Sequence, residues 1–467
     1  PTPFGTKKMI YADWIASGRL YKPIEKKMVD VIGPFVGNTH SESSETGVLM
    51  TKAYHLAKKI IKKHVNAGRK DVIITAETGI IGLINKFQRI LGFKICGTLS
   101  NRPCISKTER PVVFLTHMEH HSNQTSWYET CADIVILKPN KKLLVDLDEL
   151  RAQLKKYKDR KIKIGSFTAC SNVTGIETPY HEMAKIMHEN GGKCFIDFAA
   201  SAPYVDMNMH PKDPLQKLDA IFFSPHKFLG GPGSTGVLVF DSALYDWKAP
   251  DNPGGGTVDW TNPWGEYQYI SDIELREDGG TPGFLQTMRT ALSIDVKNKM
   301  GTENIKKREE VLVKLAFKEF SKINKIHILA DNVKHRLGII SFYIEDIHYN
   351  LIVKLLNDRF GIQARGGCAC AGTYGHFLLD VSYNYSKKIT SLINSGNLSE
   401  KPGWVRISLH PTMTNAELKF VVDAINEIQK NYKKWEKDYI YNLKTNEFRH
   451  KSQTQDEEYK VKNWLKI

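Results

Sequence analysis

Long uncharged hydrophobic runs are missing from this chain of 467 residues. A membrane-spanning helix needs roughly 18 or more consecutive apolar residues, and no window approaches that length. The first eight residues also lack the apolar core of a secretion signal. We therefore expect a cytoplasmic protein with no membrane partner. Because the chain does not begin with Met, a trimmed targeting peptide, and with it an organelle, stays open.

Cysteine is scarce as well. The seven cysteines are an odd number without the spacing of a disulfide framework, which predicts a reducing compartment. Cys368 and Cys370 are separated by one alanine, so they lack the two-residue spacing of redox and zinc motifs. His120 and His121 are adjacent, but no third ligand follows at metal-like spacing. No metal is expected.

Charge of one sign is in excess, with 66 basic against 51 acidic residues and a net charge of +15. The lysines are spread along the chain as Lys-Lys pairs instead of forming one tract, and no RNP, KH or zinc-finger pattern is present. We interpret the excess as solvated helix faces and a site that favours anions. Nucleic acid is not expected as a partner.

The chain does contain a regular alternation of short apolar runs with helical segments. Strands are predicted at 71–75, 111–115, 134–137, 163–168, 193–197, 218–223 and 236–240. Helices are predicted at 46–65, 80–91, 146–157 and 180–190, and one long helical pattern covers 284–320. This alternation is typical of βαβ units and predicts an α/β fold with a large, mostly parallel sheet.

A smaller α+β domain is predicted beyond residue 326. Its strands are expected at 336–343, 362–365 and 405–409, and Thr414 with Glu417 forms a capping-box pattern at the start of a helix. We expect four parts in total. They are an N-terminal segment at 1–45 that packs on the small domain, a large domain at 46–305, the small domain at 306–430 and a charged extension at 431–467.

Polar side chains stand where the predicted strands of the large domain end. His120, Asn172, Asp197 and Lys227 all follow such strands. In parallel sheets, ligands bind at the carboxyl ends of strands, so these residues are predicted to share one site. A lysine at the end of a buried strand is costly to desolvate, and a neutral amine can attack an aldehyde to form a Schiff base.

Two further segments can bind a phosphate. Ser224 and His226 directly precede Lys227, and Thr78-Gly79 lies between a predicted strand and a predicted helix. A helix N-terminus offers free backbone amides and the positive end of the helix dipole to an anion.

These motifs resemble the class V aminotransferase-fold pyridoxal-phosphate enzymes, and in particular the cysteine desulfurase and selenocysteine lyase branch. The resemblance covers roughly residues 10–430. It rests on His120 in Glu-His-His-Ser-Asn, Asn172 in Ser-Asn-Val-Thr-Gly, Asp197 in Ile-Asp-Phe-Ala-Ala, Ser224-Pro-His-Lys227 and Arg406 in Val-Arg-Ile-Ser-Leu.

The resemblance implies a fold-type I enzyme that uses pyridoxal 5'-phosphate. Lys227 would hold the cofactor as an internal aldimine, and Asp197 would pair with the pyridine nitrogen, which makes the ring an electron sink. His120 would stack on the ring, and Asn172 would contact the ring hydroxyl and the substrate. The purely structural alternatives are that Asp197 is a helix cap and that Arg406 forms a surface ion pair.

The same resemblance assigns the remaining contacts. The phosphate would be bound by Thr78, Gly79, Ser224 and His226. Arg406 would take the substrate carboxylate through its guanidinium fork, with Arg365 nearby. Relatives are homodimers, so a homodimer is expected here. The loops at 254–256 and 280–282, with Thr281, would then reach the partner's cofactor.

The reaction depends on the segment Arg365-Gly-Gly-Cys368-Ala-Cys370. In desulfurases a loop cysteine attacks the sulfur of the substrate and becomes a persulfide, and a nearby arginine favours the thiolate. The expected reaction converts L-cysteine to alanine, or removes selenium from selenocysteine, and a sulfur-acceptor protein is a candidate partner. The spacing favours Cys370, but Cys368 stays open.

Other functions stay open as well. If both cysteines are ordinary loop thiols, the chain would be an aminotransferase or another lyase acting on an amino acid. A non-catalytic binding protein on this fold is the further alternative. The chain also departs from the family where it has Ile80-Ile81 in the phosphate turn and Ala200 three residues after Asp197.

Overall fold

The computed structural model describes residues 2–39, 43–76, 78–94, 106, 108–452 and 456–466, and Cys96 and Cys104 lie outside these ranges. The chain divides into two compact units. The small unit comprises Pro1–Trp14 and Arg308–Ile467, and the large unit comprises Ile15–Lys307. Over the described ranges, no helix combines the length and apolar character needed to cross a membrane.

The secondary structure follows the alternation that the sequence predicts. The strands are β1 (Ile10–Tyr11), β2 (Asp71–Ala76), β3 (Val112–Leu115), β4 (Asp133–Ile136), β5 (Lys163–Thr168), β6 (Lys193–Asp197), β7 (Ala220–Phe223), β8 (Gly236–Asp241), β9 (Val258–Thr261), β10 (Tyr267–Tyr269), β11 (Ile326–Ile328), β12 (Ile339–Ile344), β13 (Ile362–Gln363), β14 (Arg365–Gly367), β15 (Trp404–Ser408), β16 (Tyr439–Asn442) and β17 (Glu447–His450). The helices are α1 (Lys22–Lys26), α2 (Glu45–His64), α3 (Ile80–Ile90), α4 (His121–Tyr128), α5 (Leu147–Lys156), α6 (Tyr180–Glu189), α7 (Ile273–Arg276), α8 (Phe284–Met300), α9 (Thr302–Phe320), α10 (Tyr349–Phe360), α11 (Gly372–Leu378), α12 (Tyr383–Asn394), α13 (Asn415–Trp435) and α14 (Asp456–Trp464).

The large unit is built on a seven-stranded sheet with the order β2-β8-β7-β6-β5-β3-β4. β8 runs antiparallel to both of its neighbours, and the other pairs are parallel. The central strands are rich in Val, Ile and Phe and are buried, as expected when helices cover both faces of a sheet. Two separate apolar clusters cover the two faces. The predicted α/β fold with a large, mostly parallel sheet is confirmed.

One predicted element is divided in the structure. The sequence shows one helical pattern over 284–320, but α8 ends at Met300 and α9 begins at Thr302. Gly301 separates them with φ of 76°, a left-handed conformation that an L side chain rarely adopts. The apolar spacing continues across the glycine, and therefore the pattern alone did not reveal the break.

The small unit contains a four-stranded antiparallel sheet with the order β11-β12-β15-β14. Its core includes apolar side chains from this sheet and from α10 and α13. β1, from the N-terminus, pairs in parallel with β13. The predicted capping box is present, because the side chains of Thr414 and Glu417 each accept the other's backbone amide.

The C-terminal extension, which the sequence left unassigned, is ordered around a hairpin. β16 and β17 pair antiparallel, with Tyr439 opposite His450 and Asn442 opposite Glu447. Phe448 packs against the core of the small unit.

Candidate active site

Four of the predicted site residues follow neighbouring strands of the large sheet. Asp197 is the last residue of β6, and Asn172 lies in the turn that follows β5. Lys227 ends a 3-10 turn after β7, and His120 follows β3 as the N-cap of α4. Since β3, β5, β6 and β7 are consecutive parallel strands, their carboxyl ends meet at one edge of the sheet.

Asp197 and Lys227 interact electrostatically at this edge. Burial raises the pKa of the Asp197 carboxyl to about 6, while a hydrogen bond from the Ala199 amide and the charge of Lys227 act in the opposite direction. The Ala199 amide lies 2.7 Å from Asp197 Oδ1. Asp197 is therefore a buried acid that is mostly ionised at neutral pH, close to a lysine.

Gly79, Ser224 and His226 converge from two segments. A Cβ added to Gly79 would lie 3.6 Å from Ser224 Oγ and 4.0 Å from His226 Nε2. Gly79 is the N-cap of α3 and makes no side-chain cap, so the helix N-terminus opens toward these two side chains. Burial and the Lys227 charge lower the pKa of His226 to about 4. This group of a hydroxyl, an imidazole and backbone amides can hydrogen-bond an anion.

Ser17 and Gly18, which the sequence analysis did not single out, contact the turn that carries Lys227. The Gly18 amide donates to the His226 carbonyl over 2.8 Å, and Ser17 Oγ donates to the same carbonyl over 3.3 Å. A Cβ on Gly18 would lie 2.0 Å from the Phe228 carbonyl oxygen and 3.0 Å from the Lys227 carbonyl carbon. Only glycine fits such a close approach. In the sequence, this contact is indicated by nothing more than the short Ser-Gly pair.

His120 has a defined orientation. Its Nδ1 accepts the Ser122 amide over 3.2 Å and lies 2.9 Å from Ser122 Oγ. With Nδ1 as the acceptor, the ring proton is assigned to Nε2.

Asn172 is held by its neighbours. The hydroxyl of Ser171 accepts the amides of Val173 and Thr174, and Gly175 closes the turn with φ of 73°. Asn172 itself is buried. The turn therefore presents one amide side chain from a rigid backbone.

Glu119 is a second buried acid that the sequence analysis did not single out. Its carboxylate accepts from the Thr116 amide and hydroxyl, from Asn123 Nδ2 and from the Thr168 amide. Burial raises its pKa to about 7, and these hydrogen bonds act in the opposite direction. Glu119 thus joins the ends of β3 and β5 to the start of α4, directly before His120.

Thr281 lies in an exposed glycine-rich loop. The Gly280 amide donates to the Gly255 carbonyl over 2.8 Å, so the two predicted loops contact each other. Asp278 lies two residues before the second loop. It accepts from Lys58 Nζ at 2.7 Å and from the Tyr54 hydroxyl at 2.9 Å, and all three side chains are buried. This network anchors the loops to α2.

The small unit holds the predicted arginines. Arg365 and Arg406 are cross-strand neighbours on β14 and β15. Asp13, which the sequence analysis did not assign, accepts from Arg365 Nε at 3.0 Å and from Arg406 Nη2 at 3.1 Å. Burial lowers the pKa of Arg406, and the Asp13 carboxylate, with a smaller electrostatic contribution from Cys370, counteracts that effect.

The two cysteines occupy a tight turn directly after β14. The Ala371 amide donates to the Cys368 carbonyl over 3.1 Å. Ala369 and Cys370 have φ of 51° and 55°, in the left-handed region that non-glycine residues rarely adopt. Cys370 is exposed, whereas Cys368 is half-buried. The Cys370 thiol, at a strained turn and within electrostatic range of Arg406, is the more accessible of the two thiols.

The departures from the family pattern have structural counterparts. Ile80 is buried in a core cluster of the large unit, whereas Ile81 is exposed. Ile80 thus contributes apolar packing at a position where the resemblance leads to the expectation of a small residue or a threonine. Ala200 is buried and offers no polar group. Over the described ranges, no group of three or more His, Cys, Asp or Glu side chains is arranged to hold a metal ion.

A lysine, a buried aspartate and a turn able to bind an anion, at the carboxyl edge of a mostly parallel sheet, form the arrangement expected of a pyridoxal-phosphate enzyme of the α/β transferase class. The chain belongs to the class-V aminotransferase family, whose sequence model, "Aminotransferase class-V", matches residues 10–421. Members of this family depend on pyridoxal phosphate. The match covers both units and ends within α13, before the C-terminal hairpin.

Individual relatives agree with this family. The chain is 27% identical over 370 residues to a "Probable cysteine desulfurase" from Halalkalibacterium halodurans, covering 78% of this chain and 84% of the relative. It is 25% identical over 373 residues to a "Cysteine desulfurase" from Haloferax volcanii, covering 78% and 81%. The solved cysteine desulfurase of Thermococcus onnurineus has the same fold, with a TM-score of 0.72, 21% identity and coverage of 91% and 95%.

Proposed function

We propose that the chain is a cysteine desulfurase that converts L-cysteine, or selenocysteine, to alanine and retains the sulfur or selenium on a loop cysteine. The proposal rests chiefly on one observation in the small unit. The exposed Cys370 lies in a strained turn within electrostatic range of Arg406, an arginine suited to a carboxylate. The names of the relatives support the same activity.

The residues of the large unit fit pyridoxal phosphate. Gly79, Ser224 and His226 form a cradle that a single added Cβ would begin to fill, as expected for a phosphate site. Asp197 supplies the buried carboxylate that a pyridine nitrogen requires. Lys227 supplies the amine within electrostatic range of Asp197. When bound, the cofactor supplies an electron sink for the substrate Cα.

Each residue then has a task of its own. Lys227 Nζ would hold the cofactor and, once the substrate is bound, would take the proton from the substrate Cα and return a proton to the product. Asp197 would keep the ring nitrogen protonated. His120 would lie against the ring, and Asn172 would hydrogen-bond the ring hydroxyl. Arg406, held by Asp13, orients the substrate carboxylate.

Sulfur transfer is assigned to Cys370. Its thiolate attacks the substrate sulfur, so that a sulfur–sulfur bond forms while the bond between Cβ and sulfur breaks. The electron pair of the broken bond goes to Cβ, which is protonated to give the methyl group of alanine. Cys370 is left as a persulfide, and an acceptor protein or an added thiol reductant removes its outer sulfur.

The decisive experiment uses cofactor-loaded protein incubated with L-cysteine and a reductant. Alanine and sulfide should form in equal amounts, and Lys227→Ala should form neither. Cys370→Ser and Cys368→Ser are a matched pair, and only the former should abolish sulfide release while keeping the visible absorption of the bound cofactor. Loss in Cys368→Ser instead would move the nucleophile to that residue.

The same assay separates the alternative reactions. If L-cysteine changes the cofactor spectrum but neither alanine nor sulfide forms, desulfuration is refuted and amino-group transfer or another lyase reaction replaces it. Sedimentation of the loaded protein tests the proposed homodimer. A mixed dimer of one Thr281→Ala subunit and one Lys227→Ala subunit tests whether the loops cross between partners. If they do, both substitutions fall in the same site, and the other site keeps its activity for alanine formation.

A further inference from the structure

The C-terminal hairpin has no assigned task, because it lies beyond residues 10–421 that the family matches. The turn between β16 and β17 comprises residues 443–446, and of these four described residues only Asn446 is buried. Asn446 has φ of 61°, and asparagine is one of the few residues that tolerate this conformation. Asn446 is therefore buried at a backbone geometry that most residues would not accept.

Asn446 binds the first turn of α10. Its Nδ2 donates to the Tyr349 hydroxyl over 2.6 Å, and its Oδ1 accepts from the Tyr441 hydroxyl over 2.8 Å. Asn350 Nδ2 donates to the Asn446 carbonyl. The hairpin and α10 are thus joined by a buried hydrogen-bond network that fixes the Tyr349 and Asn350 side chains.

Aromatic packing reinforces the same contact. His348, the N-cap of α10, stacks on Tyr349 with ring centroids 4.4 Å apart. It also packs against two rings of the hairpin, at 5.4 Å from Tyr441 and 5.3 Å from Phe448. The start of α10 is therefore held by the hairpin through both polar and apolar contacts.

Tyr349 and Asn350 in turn press on the strand that leads into the cysteine turn. A Cβ added to Gly366 would lie 2.2 Å from Asn350 Oδ1 and 3.1 Å from Tyr349 Cδ2. A Cβ added to Gly403, next to β15, would lie 2.6 Å from the Tyr349 ring and 3.0 Å from Gly367 Cα. This close packing explains why residue 366 is glycine, whereas Gly367 has open space around its Cβ position and is required by its φ of 111°.

The packing reaches the residue directly before Cys368. Burial raises the pKa of Tyr349 to about 12, and the hydrogen bond with Asn446 acts in the opposite direction. Gly367 directly precedes Cys368, and Cys370 follows two residues later. A displacement of Tyr349 would therefore move the first residue of the turn.

We propose that the C-terminal hairpin positions the cysteine turn at residues 368–370, and that Asn446 is the positioning residue which transmits this order through Tyr349 and Asn350. The inference rests on the proposed desulfurase function for its consequence in turnover. The positioning itself can be measured without catalysis, because the reactivity of the two thiols reports the conformation of the turn.

The test variant is Asn446→Gly in the full-length, cofactor-loaded protein. Glycine keeps the left-handed backbone at no steric cost and removes both side-chain hydrogen bonds. Lys444→Ala is the matched control, since Lys444 is exposed in the same turn. Iodoacetamide labelling of Cys368 and Cys370 is followed separately by peptide mass spectrometry, together with the visible absorption of the cofactor on Lys227.

In Asn446→Gly, labelling of Cys368 should accelerate by about fivefold to tenfold, a factor that matches the loss of one or two hydrogen bonds. Turnover to alanine should fall by a similar factor in kcat, with the KM for L-cysteine unchanged because Arg406 is untouched. The cofactor absorption should stay at the wild-type level. Lys444→Ala should match wild type in all three measurements.

Equal labelling rates in Asn446→Gly and Lys444→Ala would overturn the proposal. If Asn446→Gly does not fold, Tyr349→Phe decides the question, because it keeps the ring on Gly403 and removes only the hydroxyl that Asn446 binds. Unchanged labelling in Tyr349→Phe would then refute the inference. If wild type forms no alanine, the proposed function fails, while the labelling rates still test the positioning.

Discussion

The buried ion pair between Lys58 and Asp278 predicts a large loss of stability when its carboxylate is removed. Lys58 Nζ lies 2.7 Å from Asp278 Oδ2, and the two side chains are only 5% and 4% exposed. Asp278→Ala would leave an ammonium group buried without its carboxylate. Breaking a buried pair from one side costs about 3–5 kcal/mol. The Tyr54 hydroxyl would lose its bond to Asp278 and keep its contact with Thr75 at 3.3 Å.

Urea unfolding of the cofactor-loaded protein, followed by circular dichroism, measures this loss. With an m-value of about 3 kcal/mol per molar urea, the transition of the large unit should move down by roughly 1 M. Glu274→Gln is the control. Glu274 pairs with Lys62 at 2.8 Å, but these side chains are 24% and 26% exposed, and such pairs contribute about 1 kcal/mol or less.

A second variant separates the ion pair from the space that it occupies. Lys58→Met combined with Asp278→Leu removes both charges and keeps most of the volume, so stability should return to within about 1–2 kcal/mol of wild type. If Asp278→Ala costs no more than Glu274→Gln, water reaches the pair and the reasoning from burial is refuted.

Three further predictions concern residues of both units. Gly18→Ala places a Cβ 2.0 Å from the Phe228 carbonyl oxygen, so the lysine turn must shift, and retention of the cofactor on dialysis, followed by its visible absorption, should fall. Asp197→Asn should keep the cofactor on Lys227 but lower the rate of alanine formation by about 10²-fold, because an amide cannot hold the ring nitrogen protonated. Burial lowers the pKa of His410 to about 3, below its value of about 6.5 in the unfolded chain. Below pH 6.5 the imidazole therefore takes up a proton when the chain unfolds, and the free energy of unfolding falls as the pH drops. Between pH 7 and pH 5 this contribution amounts to about 2 kcal/mol, and the difference in unfolding free energy between these pH values should shrink by that amount in His410→Gln.

Local sequence patterns were enough to predict the fold of the large unit and the positions of its polar groups. The strands of that unit are runs of Val, Ile and Phe, and their ends are where Asp197 and Lys227 stand. Because parallel strands share one edge, the sequence order of these residues was enough to predict that they lie at the same edge.

Contacts between distant parts of the chain were not predictable in this way. Asp13 and Arg406 are 393 positions apart, and Ser17 and His226 are 209 positions apart. Periodicity reports which face of an element is buried, but it does not name the partner. The Gly301 break was missed for a different reason, since one glycine costs a helix only about 1 kcal/mol relative to alanine and leaves the apolar spacing intact.

The hairpin was missed because its strands are only four residues each, Tyr-Ile-Tyr-Asn in β16 and Glu-Phe-Arg-His in β17. Neither strand shows the apolar alternation of a half-buried sheet. Its buried contact is made by the turn residue Asn446, at a position where sequence patterns favour exposed polar groups.

The small unit is assembled from the two ends of the chain, Pro1–Trp14 and Arg308–Ile467. During synthesis, β1 and Asp13 leave the ribosome some 350 to 400 residues before β13 and Arg406 and must wait for them. The pairing that encloses Arg406 therefore forms only after the whole large unit has been translated. A chain that stops before Arg406 could display the strands of the large unit but could not assemble the arginine pair on β14 and β15, so such products would lack the ordered surroundings of the cysteine turn at residues 368–370.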